Sequence, residues 1–121
     1  MITIITGKKG SGKSQLVKKI VGNKKAVYLE EDSLSFRFWT SSHGIEKTTE
    51  YIIVEGATDA TKLKRLFNDR LMIREPLKKQ YSIKMPQIII TSQNALKVDV
   101  SHTHINCDLF YDEVHWRMKR K

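Results

Sequence analysis

An apolar run, Ile2-Thr3-Ile4-Ile5-Thr6, leads directly into Gly7-Lys8-Lys9-Gly10-Ser11-Gly12-Lys13-Ser14. Leu16, Val17, Ile20 and Val21 then recur at helical spacing, and Gly22-Asn23 supplies a stop. No other stretch restricts the fold as strongly, because it commits the chain to a strand, a tight turn and a helix in that order. The turn reads G-x-x-x-x-G-K-S. Its glycines let the backbone close around a phosphate, with successive N–H groups pointing into the concavity. The following helix turns the positive end of its dipole toward the same anion. Lys13 is expected to reach the β- and γ-phosphates of a nucleotide, and the Ser14 hydroxyl to ligate Mg²⁺. The candidate binding residues are Gly7, Lys8, Lys9, Gly10, Ser11, Gly12, Lys13, Ser14 and Gln15.

The rest of the composition sets limits. At 121 residues the chain is expected to form one domain over 1–116, followed by a basic tail at 117–121. No apolar run approaches the roughly 18 residues of a membrane span, and the first strand begins where a secretory signal would need a charged segment. The single Cys107 offers no disulfide framework. These features predict a cytoplasmic protein without a membrane partner. Twenty-two Lys and Arg against thirteen Asp and Glu give a formal charge of +9, which suits a polyanionic partner such as DNA or RNA.

Five strands are predicted, at 2–6, 25–30, 51–55, 87–91 and 104–110. Several are continuous β-branched runs, as in strands covered on both faces of a parallel sheet. A helix is predicted over 12–21. A second is expected to start at the N-cap Thr58-Asp59, to carry Ala60, Leu63, Leu66, Phe67 and Leu71 on one face, and to end at Pro76. Strands alternating with helices predict an α/β fold.

Five strands with the phosphate loop after the first resemble the P-loop NTPases, in the branch with an additional strand and a catalytic glutamate. That branch includes the AAA+, RecA-like, FtsK/HerA-like and Zot-type ATPases. The resemblance implies a three-layer sandwich, with a five-stranded, mainly parallel sheet and helices on both faces. It also implies an Mg²⁺-dependent ATPase that binds ATP and acts on DNA or in phage or mobile-element replication, packaging or assembly. The strand ending Tyr51-Ile52-Ile53-Val54-Glu55-Gly56 resembles the Walker B strand. The usual Asp-Glu pair is absent, so Glu55 takes either the Mg²⁺ position or the position that activates water. Ile88-Ile89-Ile90-Thr91-Ser92-Gln93-Asn94 resembles the sensor strand, with Gln93 or Asn94 as the sensor and Thr91 and Ser92 supporting. In the family the sensor strand lies between the loop strand and the Walker B strand. Lys13, Glu55, Gln93 and Asn94 are therefore the expected catalytic set, and Ser14 and Glu55 the metal ligands. No Arg lies between the fourth and fifth strands, but Arg65, Arg70 and Arg74 could act across a subunit interface. A core without a lid leaves nucleotide exposed, which predicts a homo-oligomer.

Other readings compete. A nucleotide-gated regulatory module needs binding without hydrolysis. A small P-loop kinase would share the first motif, and Glu30-Glu31-Asp32 could serve as its acceptor-side base. Val54-Glu55-Gly56-Ala57-Thr58-Asp59 also resembles the first Toprim motif, but no strand ends in the required Asp-x-Asp. Alternation over 102–108 sets His102 and His104 on the face opposite Cys107, which argues against a metal site. Phe36, Phe38 and Trp39 beside Arg37 could stack on bases, although a buried role is commoner. Trp116 and the tail read as an electrostatic contact.

Overall fold

The computed structural model describes residues 1–34, 44–74 and 77–108. The aromatic cluster at 36–39, Pro76, His115, Trp116 and the basic tail lie outside the described residues. The elements are β1 (Ile2–Thr6), α1 (Lys13–Val21), β2 (Ala26–Leu29), a 3-10 turn (Glu31–Ser33), β3 (Tyr51–Val54), a 3-10 segment (Ala60–Phe67), β4 (Arg70–Ile73), β5 (Tyr81–Lys84), β6 (Gln87–Ser92) and β7 (Thr103–Asn106).

Five strands form one sheet in the order β2-β3-β6-β1-β7, and all of its pairings are parallel. The fold is thus α/β, with β6 inserted between β1 and β3. Ile88, Ile89 and Ile90 are all buried, because the central strand is covered on both sides. Alternation sends Ile5, Ile53 and Ile89 to one face, where they pack with Val17 and Val21 of α1. Ile4, Ile52, Val54, Ile88 and Ile90 face the other way, against Leu63, Leu66, Leu71 and Ile73.

That second face departs from the expected helical layer. The predicted helix from Asp59 is a 3-10 segment that stops at Phe67, and Leu71 belongs to β4. Asp59 does cap its start, with its carboxylate accepting the Thr61 N–H at 2.9 Å. Ala60, Leu63 and Leu66 are three residues apart, the period at which 3-10 side chains line up. Both leucines are fully buried, so packing extends the 3-10 form beyond its usual three or four residues. Asn68-Asp69 then turns the chain into an antiparallel pair of β4 and β5 that the sequence reading missed. Their signal is Arg70-Leu71-Met72-Ile73, whose exposed and buried positions alternate.

The last strand also ends early. It stops at Asn106, and Cys107 and Asp108 take helical conformation. Asn106 Oδ1 accepts the Asp108 N–H at 3.0 Å, a capping bond that outcompetes further strand.

Candidate functional site

The glycine loop spans the gap between the carboxyl end of β1 and the amino end of α1. Its root is held by the Gly7 N–H, which donates to Ser92 O of β6 at 3.1 Å. A tight turn follows, with the Ser11 N–H on Lys8 O at 3.1 Å. Gly12, at φ 92° and ψ 15°, is the N-cap of α1 and brings no side-chain cap. A left-handed N-cap is strained for any residue with a Cβ. The Leu16 N–H reaches Gly12 O at 3.0 Å, so the N–H groups of Lys13, Ser14 and Gln15 start the helix without intrahelical acceptors. Gly7 is required for a different reason. A Cβ there would lie 2.4 Å from Ser11 Oγ and 3.1 Å from Cys107 Cβ.

Lys13 folds back over this loop. Its Nζ donates to Gly7 O at 2.6 Å and to Lys8 O at 2.8 Å, which holds the ammonium across the loop. Ser11 Oγ is buried and, among the described residues, has no hydrogen-bond partner. An orphaned hydroxyl, uncapped helix N–H groups and a loop-held ammonium fit a phosphate group chemically. Ser14 is exposed on the first turn of α1, as are the Lys8 and Lys9 side chains on the loop.

The other expected residues gather at the same carboxyl edge of the sheet. Register sets Val54 of β3 beside Ile90 of β6, which lies beside Ile4 of β1. Glu55 therefore emerges level with Ile5, two residues before Gly7 leaves β1. It is exposed and, among the described residues, has no hydrogen-bond or ion-pair partner. Thr91 and Ser92 are buried and brace the turn after it. The Gly56 N–H donates to Thr91 Oγ1 at 3.0 Å, the Ala57 N–H to Thr91 O at 2.8 Å, and Ser92 Oγ to Ala57 O at 2.7 Å. Gln93 and Asn94 follow, both exposed, with the Asn94 N–H on Ser92 Oγ at 3.3 Å. Among the described residues no hydrogen bond joins the side chains of Glu55, Gln93 or Asn94 to the loop.

Two carboxylates at this edge have partners that the sequence did not foretell. Glu31 is not a solvated strand end: its Oε2 accepts the N–H groups of Thr58 at 2.7 Å and Asp59 at 2.9 Å, and its Oε1 accepts the Thr58 hydroxyl at 2.8 Å. Burial pushes its pKa up, but these bonds and the charge of Lys62 outweigh it and hold the carboxyl below the usual range. Lys62 pairs in turn with Asp32 at 2.9 Å. Asp108 is the second, with Oδ1 accepting the Lys8 N–H at 2.9 Å. The Asn106-x-Asp108 spacing of cap-forming residues was its available signal.

The arginines are differently engaged. Arg70 stands on β4 and donates from Nε to Ser82 Oγ and from Nη2 to Ser82 O, both at 3.0 Å. Arg65 and Arg74 also have partners. His104 Nε2 lies 2.7 Å from Thr6 Oγ1, and His102 Nδ1 lies 2.8 Å from Val100 O. Burial raises the Cys107 thiol pKa, against the opposing charge of Lys13.

No family model and no curated protein matches the chain. Solved structures are similar to it in fold. One, of the NrS-1 C-terminal region in an A form apo state, superposes with a TM-score of 0.61 at 22% identity. A second, of residues 305–718 of that region, superposes with a TM-score of 0.58 at the same identity. Each covers 88% of this chain, which spans 28% of the length of either neighbour. The likeness is one of fold, an α/β domain built on a five-stranded parallel sheet.

Proposed function

We propose that the chain is a P-loop nucleotide-binding domain and an Mg²⁺-dependent ATPase of the branch with a catalytic glutamate. The observation that carries the reading is the loop at 7–14, set between β1 and α1, with the Lys13 ammonium held across it by Gly7 O and Lys8 O. The sheet order supports it, since β6 lies between the loop strand and the strand that ends before Glu55. The N–H groups of the loop and first helical turn, with Lys13, would hold the phosphates, and Ser14 would ligate Mg²⁺. Bound ATP-Mg²⁺ supplies a phosphoryl group whose transfer spreads negative charge over its oxygens.

The chain's own residues answer that charge. Lys13 and the loop amides are fixed donors, so they stabilise developing negative charge without reorganising. Glu55, an exposed carboxylate at the carboxyl edge of the sheet, is the residue to order water or metal. Gln93 and Asn94 are exposed where they can hydrogen-bond beyond the strand end. Glu31 is consumed in capping Thr58 and Asp59, which weighs against the kinase alternative. The regulatory-module alternative draws on one feature: the residue before Glu55 is the buried Val54, so Glu55 lacks a second carboxylate.

The partner we propose is nucleic acid, on the charge of +9 and on the β4–β5 pair. That pair exposes Tyr81, with the Lys47 ammonium 6.0 Å from its ring centroid, and on its other face Met72 and Lys84. An aromatic among cations suits a nucleic-acid strand, where bases stack and phosphates pair. We propose a homo-oligomer on the absence of any lid over the loop among the described residues.

The test is ATP binding and hydrolysis against protein concentration, with and without single-stranded DNA. Lys13→Ala is expected to weaken ATP binding on the order of a hundredfold, about 2 to 3 kcal/mol. Glu55→Gln is expected to keep binding and lose turnover by about 10² to 10⁴. Binding without turnover under every condition would select the regulatory module, and no binding would reject the reading.

A further inference from the structure

Asp108 and Lys13 hold opposite ends of one peptide. The N–H of Lys8 and the C=O of Gly7 belong to the same planar unit. Asp108 Oδ1 accepts that N–H at 2.9 Å, while Lys13 Nζ donates to that C=O at 2.6 Å. A carboxylate thus sits at the positive end of the peptide dipole and an ammonium at its negative end. Both charges polarise the unit in the same sense, and hydrogen bonds arranged this way strengthen one another. Asp108 is itself fixed, because Asn106 Oδ1 accepts its N–H at 3.0 Å. Gly7 is confined on the other sides by Ser92 O and by Cys107.

We propose that Asp108 is a positioning residue for Lys13, acting through the Gly7-Lys8 peptide; this rests on reading 7–14 as a nucleotide-binding loop. Asp108 sets the plane of the peptide, and the plane sets the direction from which the carbonyl holds the ammonium. Removing the carboxylate frees the peptide to rotate, and Lys13 loses its defined position over the loop.

The test compares the full chain with Asp108→Asn, which keeps an oxygen acceptor, and Asp108→Ala, which does not. Asp108→Ala is expected to raise the Kd for ATP-Mg²⁺ about tenfold, and Asp108→Asn by no more than about threefold. In a Lys13→Ala background, Asp108→Ala is expected to add almost nothing, because the two act through one peptide. Additive losses, or a Kd for Asp108→Ala within about twofold of the wild type, overturn the proposal. Hydrogen exchange at the Lys8 amide, followed by NMR without nucleotide, gives an independent reading. It is expected to quicken at least about tenfold in Asp108→Ala and to slow again in Asp108→Asn. Unchanged exchange also overturns the proposal. A wild-type chain that binds no nucleotide while showing this exchange pattern would reject the nucleotide reading and leave the peptide coupling standing. If the Ala variant fails to fold, Lys13→Ala decides: coupling requires Lys8 exchange to quicken in Lys13→Ala and to stay slow in Asp108→Asn, and unchanged exchange in Lys13→Ala overturns the proposal.

Discussion

On one face of the sheet, Val17 and Val21 of α1 and Cys107 close over Ile5, Ile53 and Ile89. On the other, a wider core runs from Leu29 and Leu34 through Leu63 and Leu66 to Leu71 and Ile73. The first face is local in sequence: β1, the loop and α1 are consecutive, so the helix that covers the strand also delivers the loop. The second is assembled from separate segments, a 3-10 stretch and an antiparallel pair, none regular enough to stand alone. The larger buried core therefore lies on one side of the sheet, and the helix that follows the glycine loop on the other. The loop is tied to Ser92 of β6 and to Asp108, which follows β7.

The sharpest way to break this division is in the wide core. Leu63→Ala, at a fully buried position, is expected to cost about 2 to 5 kcal/mol in urea unfolding, with ATP affinity unchanged where the variant stays folded. A loss of affinity as large as the loss of stability would show that the two faces are not separable. Gly7→Ala attacks the other side with one methyl, set 2.4 Å from Ser11 Oγ. It should cost about 1 to 3 kcal/mol, less than the leucine truncation, yet abolish ATP binding by titration calorimetry.

Glu31 tests the edge where the two faces meet. Its folded pKa is lowered, so the stability it contributes is present above the ordinary glutamate value of about 4.3 and is lost as pH falls through the lower folded value. Glu31→Gln should therefore cost about 1 to 2 kcal/mol at neutral pH, a gap that closes on acidification in denaturant titrations below pH 4 or so. The smallest effect belongs to Met72→Ser on the outer side of β4, within about 0.5 kcal/mol by thermal unfolding. A larger loss would mean that this exposed position is covered in the working protein.

The legibility of the sequence follows the same division. The apolar run 2–6, the glycines and the periodic Leu16, Val17, Ile20 and Val21 carry local signals, and β1, the loop and α1 emerge where those signals put them. The Asp59 cap was equally readable. Leu71 misled, because it continues a helical spacing from Phe67 across Asn68-Asp69, a turn whose residues outrank the periodicity. Thr91 and Ser92 read as support for a sensor; they are buried and brace the turn after Glu55, and Ser92 Oγ also accepts the Asn94 N–H.

By itself the sequence determined the strand, turn and helix around 7–14 and the buried character of the central strands. Those follow from periodicity, glycine content and caps, all of which act over a few residues. Tertiary structure decided which groups meet. Asp108 reaches Lys8 across 100 residues, and Glu31 reaches Thr58 across 27. Neither pair has a spacing rule, because parallel strand register brings them together only after the sheet has formed.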